Sequence, residues 1–321
     1  MHSSNASISH KSIFVLFFKL AIILTIVLIL SFFVQMISDA ALKKRVYCTE
    51  WEDLYNSRIN ADMLVQGSSR ALRHISPKII EEYFNIDCYN LAMNGCHFSM
   101  QYLRFREYLK YNRKPKYIIQ CLDIFSLVGG AEQVSDVQQF LPYIDKFLIK
   151  ESLLNIKVIE PLDCIIPLLK YRLYRNGVLL SLKGYTERRD KYKGFKASDA
   201  KWNSSENFNS DKKVTIVIDI DIFNMFDDFL KYCRNNNIMV ILVYPPEYYE
   251  YQKSIKNRTH IIDIYRQFSN KYGLVFLDYS NSEFSYSKYN FYNSTHMNSV
   301  GVNPFNNILV RDMARAMSIA R

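Results

Sequence analysis

Apolar residues in this chain fall into three patterns. The first is an unbroken run, residues 13–36 ("IFVLFFKLAIILTIVLILSFFVQM"), with one charge, Lys19. It reaches the roughly 20 residues that cross a bilayer, and Lys19 lies near enough to one end for its stem to carry the ammonium to the headgroups. The run predicts a transmembrane anchor at 13–36 behind a short tail, 1–12. A secretory signal would have an apolar core of about 7–15 residues and a small-residue cleavage site, and "QMISDAALKKR" offers a poor one. The second pattern is a set of short continuous runs, "DMLVQG", "DCYNLAM", "YIIQCLD", "IMVILVYP" and "LVFLDYS". Continuous rather than alternating hydrophobicity predicts strands covered on both faces of a parallel sheet.

The third pattern is helical. Ile222, Met225, Phe226, Phe229, Leu230 and Cys233 share one face at spacings of three and four, while Asp227, Asp228 and Lys231 point away. Residues 235–237, "NNN", end that helix, "THIIDIYRQFSNKYG" repeats the plan with Gly273 as its stop, and residues 303–316 read as a closing helix. Strand and helix in alternation predict an α/β, doubly wound parallel sheet of about five strands, flavodoxin-like, with the N-terminal transmembrane helix and a mixed insertion. The expected organisation is a linker at 37–60 and one domain at 61–321, with an insertion around 128–213 that caps or borders the site. Ligands of such sheets sit at the carboxyl ends of the strands, here "GSSR", "NGCHF", "LDIF", "YPPE" and the residues after "LDYS".

Composition adds less. A 321-residue chain that is 49% hydrophobic has ample core and is not disordered. The net charge of +10 is concentrated in residues 171–213, which suit an anionic glycan or lipid surface, or form a solvated insertion. No nucleic-acid motif accompanies them, so no nucleic-acid partner is expected. Six cysteines without a CxxC pair predict buried free thiols, and no metal or organic cofactor is suggested. Lys43, Lys44 and Arg45 after the anchor, against His10 and Lys11 before it, favour a cytoplasmic body on local charge alone.

The chemistry stands at the strand ends. "QGSSRA", "YNLAMNG", "PKYIIQCLDIFS" and "FYNSTHMNSVG" follow one another in an order that resembles the blocks of SGNH hydrolases. The nearest subgroup is the membrane-anchored, DltD-like proteins of bacterial polysaccharide and teichoic-acid modification. The resemblance implies Ser69 as nucleophile, with Ser68 the alternative, and His296 as general base. It also implies Gly95 as a backbone oxyanion donor with Asn94 beside it. A serine hydroxyl needs such a base, and the developing oxyanion needs fixed donors.

Two positions depart from the family pattern. Asn293 stands where an acid normally precedes the histidine by three residues; it can orient the imidazole but cannot neutralise its cation. In a serine-protease triad that exchange lowers turnover about ten-thousandfold. Asp123 stands where the wider family has an oxyanion-donating asparagine, and pairing with Arg70 would turn its charge away. Taken singly, Ser68 and Ser69 could simply cap a helix. His74, His97 and His260 lack companions, Asp278 could replace the missing acid, and Tyr248 and Tyr249 belong to a cleft or a packed loop.

Three functions are consistent with these features. One is a membrane-anchored serine esterase or acyltransferase acting on acylated cell-envelope glycan through Ser69. Another is a non-catalytic accessory protein that binds an acylated carrier or glycan and docks on a multipass membrane acyltransferase. The third is a tethered binder of anionic polymer through the basic segment. The resemblance implies a body on the extracytoplasmic face of the bacterial cytoplasmic membrane, against the local charge balance.

Overall fold

The computed structural model describes residues 10–130, 134–174, 178, 191–202 and 213–319. The five apolar runs form the five strands β1 (Met63–Gln66), β2 (Cys88–Asn90), β3 (Tyr117–Cys121), β4 (Met239–Tyr244) and β5 (Val275–Asp278). All pair in parallel in the order β2-β1-β3-β4-β5. The chain leaves β1 to one side for β2 and returns on the other for β3, so the strand order reverses between β1 and β3. The loops above that point splay apart and leave room for a ligand.

Period-two alternation assigns the strand residues to two cores. Leu64, Ile118, Val240 and Leu242 face helices α2 (Thr49–Tyr55), α5 (Phe98–Tyr111), α7 (Ile220–Asn235) and, beyond the short α8 (Tyr249–Lys253), α9 (Arg258–Tyr272). Met63, Val65, Ile119, Ile241 and Val243 face α3 (Ser69–His74), α4 (Pro77–Phe84) and α10 (Ser299–Ile319). The expected helices at 222–233 and before Gly273 are present. Asp219 caps the first through the amides of Asp221 and Ile222, and Gly273 closes the second at φ 64°. The last helix begins at Ser299, four residues before the expected 303, because Asn298 Oδ1 accepts from the amides of Val300 and Gly301 at 3.1 and 3.2 Å. Pro304 sits inside this helix, where it removes one backbone donor.

The N-terminal apolar run forms α1 (His10–Leu42), a helix long and apolar enough to cross a membrane. It continues beyond residue 36, and the expected 37–60 linker is packed structure instead. Cys48, Trp51 and Leu54, three apart on a 3-10 turn and α2, are fully buried in the first core. The polar residues between them mask a stripe too short to register as a helix in the sequence. The 128–213 region also contributes core: Phe140, Tyr143 and, from α6 (Phe147–Asn155), Ile149 are buried. Much of the basic 171–213 segment lies outside the described residues. All six cysteines are unpaired, five of them buried.

Candidate active site

The two serines of "GSS" do different things, and the turn that carries them explains why. Gly67 follows β1 at φ +149°, and a Cβ there would stand 2.6 Å from Ala71 Cβ and 2.8 Å from Cys121 Cβ. Only glycine lets the chain turn this tightly into α3. Ser68, extended and buried, caps α3: its Oγ accepts from Arg70 N and donates to Asp123 Oδ2 at 2.5 Å. Ser69 is the first residue of α3, and its Oγ lies 2.7 Å from His296 Nε2.

His296 comes from the loop before α10. One oxygen, Asn293 Oδ1, accepts from the amides of Thr295 (3.1 Å) and His296 (2.8 Å) and lies 2.9 Å from His296 Nδ1. Thr295 Oγ1 is 3.1 Å from the same nitrogen. The network assigns the proton to Nδ1, leaving Nε2 to accept from Ser69. Tyr292 stacks on the ring at 5.5 Å. Loss of water, then the cations of Arg70 and Arg73, lower the His296 pKa to about 4, with Asp123 opposing them. The imidazole is therefore neutral at pH 7 and able to take a proton, but among the described residues no carboxylate hydrogen-bonds to its ring.

Asp123, at the carboxyl end of β3, does not pair with Arg70. Its Oδ2 takes the Ser68 hydroxyl and its Oδ1 the Phe125 amide at 2.8 Å. Arg70 turns the other way, donating to the carbonyls of Pro245 and Pro246 and lying 3.4 Å from Glu247 Oε2, with its guanidinium 4.8 Å above the Tyr244 ring. Glu247 also accepts from Arg258 Nε at 3.0 Å and Tyr244 Oη at 3.1 Å. This buried acid was absent from the sequence candidates. Its signal was its place in "YPPE" at a strand end.

A pocket of about 130 Å³ opens over these groups, lined among others by Ser69, Gly95, Asp123, Glu247, Tyr251 and His296. Gly95 has φ +55°, and a Cβ would fall 1.9 Å from Ser135 Oγ. Asn94 is exposed and its Nδ2 donates to Asp136 Oδ2 at 2.7 Å, away from the pocket lining. Asp278 caps the Ser280 amide and pairs with Arg266 rather than reaching His296. Tyr248 is buried in a packed loop against Trp202 and Tyr249. His260 is exposed, whereas His97 lines the pocket, stacked on Phe125. His74 is fully buried and its Nε2 accepts from Met297 N at 2.8 Å, clamping the histidine loop to the nucleophile helix.

No protein-family model and no curated protein matches this chain. Among solved structures it is similar to a "putative acylhydrolase" from Bacteroides fragilis NCTC 9343. The identity is 14%, the match covers 84% of this chain and 95% of that one, and the TM-score is 0.39.

Proposed function

We propose that the protein is a membrane-anchored serine esterase or acyltransferase acting on acylated cell-envelope glycan. The single observation that carries this reading is the relay Ser69 Oγ to His296 Nε2 at 2.7 Å and His296 Nδ1 to Asn293 Oδ1 at 2.9 Å. In it, Ser69 Oγ attacks the ester carbonyl while its proton passes to His296 Nε2. The backbone N–H groups of Ser69 and Gly95 are the candidate oxyanion donors. The tetrahedral adduct collapses to acyl-Ser69, and the departing sugar oxygen takes the proton back from His296. Water or an acceptor hydroxyl, deprotonated in turn by His296, then attacks the acyl group and frees Ser69. The Ser68 hydroxyl supports this chemistry by occupying the Asp123 oxygen that would otherwise repel the oxyanion. Acetate release from an acetylated envelope polysaccharide by the full-length protein in detergent tests the reading. The wild type releases acetate and a folded Ser69→Ala variant does not; equal release by both would remove the mechanism.

Asn293 favours a second reading, a non-catalytic accessory protein that holds an acylated carrier or glycan in this pocket and docks on a multipass acyltransferase. It requires co-purification with such a partner in mild detergent and no acyl turnover by the isolated chain. The extracytoplasmic face of the cytoplasmic membrane suits both readings. Cleavage of the body by protease added outside spheroplasts is expected, and an intact body under those conditions would place it inside.

A further inference from the structure

The junction between α1 and the body is built, not hinged. Over its last turns α1 presents Ser31, Val34, Gln35, Ser38 and Leu42 to the body at helical spacing, while Phe32, Phe33, Met36 and Ile37 stay exposed on the other side. Gln35 Oε1 accepts from Leu168 N at 2.8 Å. Asp39 pairs with Lys170 at 2.8 Å and accepts from Tyr171 Oη at 2.8 Å, and Lys170 also donates to Leu141 O. The body thus meets α1 at the last turn of the apolar run and at the turns that follow it.

The body segment at that level is "PLDCIIPL", residues 161–168. Leu162, Ile165 and Ile166 are 53%, 72% and 41% exposed, which is unusual for three large aliphatic side chains within five residues. The one ionisable carboxylate of the segment, Asp163, is withdrawn: it is buried and held by Arg172 through Nε and Nη2, both at 2.7 Å. What faces outward is therefore apolar and uncharged. Leu168, at the end of the segment, is tied to Gln35, one residue before the exposed Met36 and Ile37, so the segment stands beside the end of the apolar run.

Resting on the reading of α1 as an anchor, we infer that residues 161–168 form a lip embedded in the bilayer interface. Together with α1 it fixes the body, and so the Ser69 pocket, at one height and tilt over the lipid surface. The occupant is lipid because the lip is fastened, through Leu168 and Gln35, to the helix that enters it. The consequence for substrate is geometric: a tethered or lipid-carried acyl glycan reaches Ser69 without the body swinging.

The test uses the full-length protein in phosphatidylcholine–phosphatidylglycerol vesicles, with an environment-sensitive fluorophore on single introduced cysteines. Cys164→Ser removes the half-buried thiol; the other five are buried. Labels go on Ile165→Cys, on Leu162→Cys as a second position, and on Phe32→Cys to report α1. Lipid spin-labelled at the headgroup end of its acyl chain should lower emission about twofold or more at all three positions, since interfacial side chains sit within about 5–10 Å of the acyl boundary. Quenching at Phe32→Cys with none at Leu162→Cys or Ile165→Cys would overturn the lip and leave the anchor standing. Lip positions shielded from both lipid quencher and aqueous iodide would overturn it in favour of a protein partner. No quenching at Phe32→Cys would overturn the anchor and the lip together.

Discussion

Asn293→Asp is a substitution expected to raise activity. Asn293 Oδ1 already gathers the amides of Thr295 and His296 and faces His296 Nδ1 at 2.9 Å, so a carboxylate there would be held ionised by the same donors. With charge centres about 4 Å apart at an effective dielectric of about 20, the new ion pair favours the imidazolium by about 4 kcal/mol. At 1.36 kcal/mol per unit this is about 3 pKa units, which moves His296 from about 4 to about 7. The assay is hydrolysis of a p-nitrophenyl ester by the full-length protein in detergent, with kcat/KM followed against pH. Wild type should lose activity only as pH falls through about 4. The variant's acid limb should lie near pH 7, and above it the rate should rise at least tenfold, up to about the ten-thousandfold penalty that asparagine imposes on a serine-protease triad. An unmoved acid limb in a folded variant would refute the assignment of His296 as base and Asn293 as its partner.

Glu247→Ala should strand the buried Arg70 guanidinium, lowering stability by about 3–5 kcal/mol in thermal or denaturant melts; Glu247→Gln should lose less because its amide oxygen can still accept. Gly67→Ala should misplace α3, with about 1–3 kcal/mol of strain and clash appearing as a lower Tm and a slower ester turnover. Stability should also fall on acidification. The folded His296 pKa is depressed from its ordinary 6.5 to about 4, so the unfolded chain binds the proton first and stability is lost as pH drops between those values. At 1.36 kcal/mol per unit the loss is about 3 kcal/mol. Buried His74, also lowered by burial, adds to it in the same direction. His296→Gln should flatten that part of the Tm profile.

The sheet was legible because all five strands are continuous apolar runs, a signature that local sequence carries. The serine and histidine were legible only through the order of their blocks, since a small-residue turn after "MLV" is common to many strands. Ser68 and Ser69 could be told apart only by where Asp123 and His296 sit, residues more than 50 positions away in the chain. The same holds for Arg70 and Glu247: their pairing depends on β1 and β4 presenting their carboxyl ends to one pocket, on either side of β3. The structure within 37–60 was hidden from the sequence for a simpler reason. Its buried residues, Cys48, Trp51 and Leu54, are diluted by acids and polar groups, and α2 is too short for its apolar stripe to repeat.

Every role proposed for the pocket depends on whether Ser69 is an activated nucleophile. Intact-mass analysis of the full-length protein after exposure to a fluorophosphonate measures that directly, beside Ser69→Ala, Ser68→Ala and His296→Ala. One adduct on the wild type and on Ser68→Ala, and none on Ser69→Ala or His296→Ala, is the expected result. A folded wild type that takes no adduct, or a Ser69→Ala variant that takes one, would contradict it.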